Sequence, residues 1–185
     1  ARSETGLSTL PWMRRLVIGL LAVAAIAIGA APAAAACRGA NSHPTRARIS
    51  TVDKATLCLL NVERKKRGLA PLKENRELDQ ASLGHSRDMV RRKYFEHGDF
   101  AGRIEATGYL SGASSYDIGE NIAWGGGRYS TPKAIVKLWM HSPGHKANIL
   151  DRHFKEIGIG IARGAPENGQ GGDAATYTTD FGVRS

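Results

Sequence analysis

The chain has 185 residues, a formal net charge of +9 and two cysteines. That length suits one domain with a real core, and no internal repeat or second domain is evident. The charge is the only feature pointing towards nucleic acid. No helix-turn-helix, zinc-finger spacing or aromatic-interleaved basic strand supports such a partner.

Arg14 and Arg15 precede an apolar run from Leu16 to Ala31 and a small-residue exit at Ala34, Ala35 and Ala36. This is the layout of a secretory signal peptide cleaved before Cys37. The sequence begins with Ala1, and Met13 sits where such a peptide would start, so residues 1–12 read as an over-extended start. A membrane anchor is the rival reading. Gly19, Gly29 and Pro32 break the run, which falls short of the roughly 20 apolar residues a span prefers. Cys37 directly after the exit also fits lipidation, although Ala34 stands where lipoprotein sites carry a larger aliphatic residue. Pairing of Cys37 with Cys58 in an oxidising compartment is the simpler account, and in the chain-entropy model it stabilises by roughly 3 kcal/mol. Three of the 26 basic and one of the 17 acidic residues lie in the first 36, leaving +7 on the remainder. Such a balance favours anionic partners such as phospholipid headgroups or wall polymers. The bland reading is a dispersed surface, because Arg64–Arg67 and Arg91–Lys93 lie near helix ends and offset the helix dipole.

Residues 37–50 read as an irregular arm and residues 51–185 as the domain. A helix is predicted from Thr51 to Arg67, with Val52, Ala55, Leu59 and Val62 on one stripe and Gly68 and Pro71 ending it. Asn75 is positioned to cap the next helix, which runs to about Tyr94 with Leu78, Ala81, His85 and Met89 on one face. His85 therefore reads first as a core histidine donating a hydrogen bond. Residues 98–118 are glycine-rich and read as loop, and Gly125-Gly126-Gly127 as a turn, since no Lys-Ser/Thr follows to make a phosphate cradle. Thr131-Pro132 starts a helix leading to Trp139, and Ser142-Pro143-Gly144 breaks it. Ser142 can cap a second short helix with Pro143 in its first turn, which aims His145 from an exposed helix start. Ile157, Ile159 and Ile161 alternate with small residues as in a half-buried strand. A loop from Gly164 to Ala174 leads to a returning strand with Tyr177, Thr179 and Phe181.

Four segments carry a resemblance in their order and spacing. They are His85-Ser86-Arg87-Asp88-Met89 leading to Tyr94-Phe95-Glu96-His97, Gly119 to Trp124, Trp139 to Leu150, and Ile157 to Gly160 paired with Thr176 to Gly182. From about Thr51 to Gly182 the chain resembles the CAP superfamily of cysteine-rich secretory proteins, antigen 5 and pathogenesis-related proteins, and within it the small secreted bacterial branch. The resemblance implies an α+β fold, a three-layer α-β-α sandwich with a short antiparallel sheet. It also implies a central cleft lined by two histidines and two glutamates. His97 and His145 fall on the histidines and Glu120 on the first glutamate, while Ser142 stands at the second. Glu156 belongs to the following strand motif and does not fill that gap.

Two neutral imidazoles with a carboxylate suit zinc or another divalent cation, with His97 and His145 as ligands. A metal-assisted hydrolase using Glu120 as base is therefore one expectation. The alternative pair His141 and His145 has helical i, i+4 spacing, but Pro143 and Gly144 interrupt it. No serine nucleophile elbow and no His-Glu-x-x-His is present. The favoured expectation is a secreted, monomeric binding module acting on the envelope or a host surface. For its ligand the resemblance implies sterols, fatty acids or other lipids, with Tyr94, Phe95, Trp124 and Trp139 as candidate lining.

Overall fold

The computed structural model describes residues 37–167 and 172–185; the expected leader and apolar run lie outside the described residues. Five helices and four strands follow one another among these residues. They are α1 (Ile49–Lys65), β1 (Lys73–Glu74), α2 (Arg76–Arg92), α3 (Phe100–Ala106), β2 (Tyr116–Gly126), α4 (Pro132–His141), α5 (Pro143–Leu150), β3 (Glu156–Arg163) and β4 (Ala174–Arg184), with a 3-10 turn at Gly127–Ser130. The sheet order is β1-β3-β4-β2. β4 pairs antiparallel with both neighbours, and the two-residue β1 adds parallel to β3. The sheet is antiparallel as expected except at the edge where β1 joins. Among the described residues no helix is long and apolar enough to cross a membrane.

Two helical layers sandwich the sheet, and β3 explains how. Ile157, Ile159 and Ile161 enter the main core with Leu60, Trp139, Tyr177 and Phe181. The intervening Gly158 and Gly160 face α2 so closely that an added Cβ would lie 2.0 Å from the Leu78 backbone or 2.1 Å from that of Ser82. The strand is thus buried on both faces, not half-buried as its alternation implied, because glycine lets a helix rest directly on the strand. At that short separation α2 presents small residues. Ser82 Oγ donates to Asp180 Oδ2 at 2.8 Å and Ser86 Oγ to the Gly160 carbonyl at 2.9 Å. The opposite layer joins α1, α4 and α5. It is tied by Arg64, a fully buried arginine that donates to the carbonyls of Ala70, Ile149, Asp151 and Phe154 at 2.8–3.1 Å.

Asn75 caps α2 as expected, its side chain accepting from Leu78 N. The helix stops at Lys93, whose φ of 60° places a non-glycine residue in the left-handed region. Three expectations are corrected. The stretch read as loop contains α3, capped by Asp99, whose carboxylate occupies the space a Cβ on Gly102 would need (2.3 Å). β2 runs from within that stretch through Gly126, so Glu120 sits on a strand and only Gly127 begins the turn. Ser142 holds the N-cap position of α5 but makes no side-chain capping bond. The arm is fastened by the Cys37–Cys58 disulfide, so the Cys37 sulfur is committed to Cys58. Arg46 and Thr45 both bond Asp173, at 2.8 and 3.1 Å.

Candidate functional site

Glu120 lies midway along the edge strand β2, buried and directly opposite Asp180 on β4. Residues directly opposite on antiparallel strands share a face, so two carboxyl groups meet on the α2 side of the sheet. His97 reaches Glu120 from the segment after α2, its Nδ1 donating to Oε1 at 2.8 Å. Arg103 reaches it from α3, an Nη donating to Oε2 at 2.6 Å. Both carboxylate oxygens are therefore engaged. His85 Nε2 lies 3.9 Å from the same Oε2 but donates instead to the Glu96 carbonyl at 2.9 Å. This is the core histidine anticipated from the helix face, and it also borders the site.

The electrostatics follow from burying two acids beside one guanidinium. Burial pushes Glu120 above the ordinary carboxylate range, and the Arg103 cation opposes the shift. Asp180 is pushed up further, by burial first and then by the Glu120 charge. Like charges this close cannot both ionise cheaply, and with Arg103 bound to Glu120 it is Asp180 that keeps its proton. Its Oδ1 is buried without a hydrogen-bond partner, and its Oδ2 accepts from Ser82. All three imidazoles are shifted down. Burial and then Arg103 lower His85 to about 4, the same two causes lower His97, and burial followed by proximity to His97 lowers His145.

His145 comes from α5, which is clamped along the edge of β2. Asn148 Nδ2 donates to the Glu120 carbonyl at 3.0 Å and to Asn121 Oδ1 at 2.9 Å, and Asn121 Nδ2 donates to the His145 carbonyl at 3.0 Å. The His145 Nδ1 atom is buried with no partner. His97, Glu120 and His145 thus come from three segments into one neighbourhood, and half of the His97 side chain faces solvent. Ser142 ends α4 nearby without joining the hydrogen-bond network of Glu120. Arg103 and Asp180 were not singled out from the sequence, yet they set the state of Glu120.

Two of the four candidate lining aromatics lie elsewhere. Trp139 is fully buried in the core, donating Nε1–H to the Ile122 carbonyl. Trp124 lies four residues along β2 from Glu120, about 13 Å away at 3.3 Å per residue. Tyr94 does border the site, tilted against His85 at 6.1 Å between ring centres. Among the described residues no group of three His, Cys, Asp or Glu side chains is placed to hold a metal ion. Glu120 already neutralises Arg103, whose cation would repel another. His97 and His145 therefore gain no third donor, and the residues present do not fit a resident zinc ion.

The model of the cysteine-rich secretory protein (CAP) family matches residues 57–179. The uncharacterized protein YkwD of Bacillus subtilis (strain 168) is 38% identical over 113 residues, which are 60% of this chain and 43% of that relative. The chain therefore spans less than half the length of this relative. An extracellular protein containing an SCP domain from Bacillus anthracis str. Ames superposes with a TM-score of 0.57 at 26% identity, covering 74% of this chain and 41% of that one. A cysteine-rich secretory protein from Staphylococcus aureus subsp. aureus Mu50 shares the fold, with a TM-score of 0.54 at 19% identity over 71% of this chain and 38% of that one. The sheet between two helical layers and a family match over most of the chain agree: this chain belongs to the cysteine-rich secretory protein (CAP) family.

Proposed function

We propose that this CAP domain is exported and acts outside the cell as a binding module, taking an amphiphilic lipid into the cleft at His97, Glu120 and His145 without turning it over. The observation that carries this reading is the engagement of Glu120. Its two oxygens accept from His97 Nδ1 and Arg103, so the acid is occupied within the protein and not presented as a base. The described residues around it offer no activated nucleophile, and both cysteines are paired. With Nδ1–H donating, the neutral His97 ring keeps the Nε2 lone pair for a ligand's polar end. Export is supported by the order of Arg14, Arg15, the apolar run and the alanine-rich exit, and by a disulfide suited to an oxidising compartment.

The test is titration of a solubilised fatty acid or sterol while the imidazole resonances of His97 and His145 are followed. Saturable shifts that His145→Ala abolishes are expected, with no hydrolysis of generic ester or peptide substrates. Divalent-metal-dependent hydrolysis that vanishes in both Glu120→Gln and His145→Ala would replace this reading with a metallohydrolase.

A further inference from the structure

From Asn121 to Leu150 the chain contains no aspartate or glutamate, while it carries Arg128, Lys133, Lys137 and Lys146. The two long helices are different. At the C-terminal end of α1, Lys66 and Arg67 pair with Glu63; on α2, Arg91 and Arg92 pair with Asp88. On α4 the inward residues Ile135, Val136 and Trp139 are buried, and Lys133, Lys137 and His141 follow at i, i+4 and i+8 along the exposed face. Like charges at that spacing work against a helix. No partner among the described residues offsets these lysines.

Among the described residues, two of the three exposed large apolar side chains lie in the midst of these cations, Leu138 at 52% and Tyr129 at 61% exposure. Together with Arg128, Lys133, Lys137 and His141 they line an open groove of about 490 Å³. Arg128 lies over the Tyr129 ring at 4.9 Å and bonds its hydroxyl at 2.8 Å, pairing a cation with an amphipathic aromatic. A row of unpaired cations would suffice for a soluble polyanion. Exposed leucine and tyrosine between them match the boundary between headgroups and acyl chains, where both kinds of group are satisfied at once.

We infer that the outer face of α4 and the Arg128–Tyr129 turn dock this protein on a lipid bilayer bearing anionic phospholipid headgroups. Lys133, Lys137 and Arg128 take the phosphates, and Leu138 and Tyr129 enter the interface. The cleft is not part of this surface, so the inference stands apart from the proposed ligand.

Sedimentation of the full chain with phosphatidylcholine vesicles, with and without phosphatidylglycerol, tests it. Binding is expected to rise with the anionic lipid and to fall with salt. The Lys133→Gln, Lys137→Gln double variant should lower it about 25-fold, at about fivefold per lysine. Leu138→Asn should weaken it too, and His145→Ala should leave it unchanged. Hydrogen exchange on the same samples should slow across residues 128–141 on anionic vesicles only. That readout serves even where the apolar N-terminal segment carries all the protein down. Equal binding to neutral and anionic vesicles with no protection at 128–141 would overturn the inference. So would tight binding to soluble polyphosphate that Leu138→Asn leaves intact while vesicle binding is absent.

Discussion

Arg64 shows how one side chain can set the geometry of a layer. Its guanidinium donates to four backbone carbonyls and to no carboxylate, joining the end of α1 to the loop after α5. Lysine carries a point charge on a flexible stem and cannot reproduce the planar fork. Arg64→Lys should therefore cost about 2 kcal/mol and Arg64→Met about 3 kcal/mol, through carbonyls left without donors. Denaturant midpoints would measure both, and a loss under about 0.5 kcal/mol, typical of surface positions, would refute the role. The buried titratable groups predict opposing pH effects. His85 is lowered to about 4 when folded, from an ordinary value of 6.5, so between those values the unfolded chain binds more protons. Its contribution is complete above pH 6.5 and is lost as pH falls towards 4. Asp180 is raised when folded, so the folded chain binds more protons from about pH 3.8 upward. Its contribution is complete below that value and is lost as pH rises. Asp180→Asn should thus gain stability relative to the parent between pH 5 and pH 8. A stability difference independent of pH would show that Asp180 does not carry the proton.

At the level of elements, α2 and β3 pack backbone against backbone at Gly158 and Gly160. Gly160→Ala would drive a methyl into the Ser82 backbone and should cost about 3 kcal/mol, because backbone cannot swing aside as a side chain can. Gly144, in the first turn of α5, has open space around its would-be Cβ. Gly144→Ala should stabilise by roughly 0.5 kcal/mol through helix propensity alone. Thermal midpoints of the two variants should move in opposite directions, and a Gly160→Ala protein as stable as the parent would mean the approach is looser than described. These glycines also mark where the sequence was legible and where it was not. The isoleucine alternation of β3 was plain, but glycine on the other face looked like exposure when it meant a helix in contact. Gly125 looked like a turn. It lies in β2, where Tyr129 backbone oxygen would be 2.4 Å from any Cβ. β1 is two residues long and exists only by pairing with β3, so no periodicity could reveal it. Arg103 lay hidden in a stretch whose glycines read as loop, and Asp180 alternated with Tyr177, Thr179 and Phe181 as though it faced water. His97, Glu120 and His145 were legible because each sits in a short motif whose residue types packing alone does not require.

For the whole molecule, the arm and the domain depend on one covalent link. The disulfide closes a separation of 21 residues, and reducing it should cost roughly 3 kcal/mol on the chain-entropy account. Unfolding with and without reductant measures this, and equal stability would mean that the contacts of Asp173 with Thr45 and Arg46 hold the arm unaided. The sheet's edges carry a further consequence. Gly182 turns its carbonyl to Lys155 beyond β3, so its opposite residue Ile118, and with it Glu120 and Ile122, point their carbonyls outward from β2. Asn148 and Trp139 cover the two at the centre of the strand. The other edge, β1, is only two residues long. Neither border offers a continuous template on which another chain could add a strand, so the contacts that seat α5 and α4 on β2 also guard the protein against polymerising edge to edge.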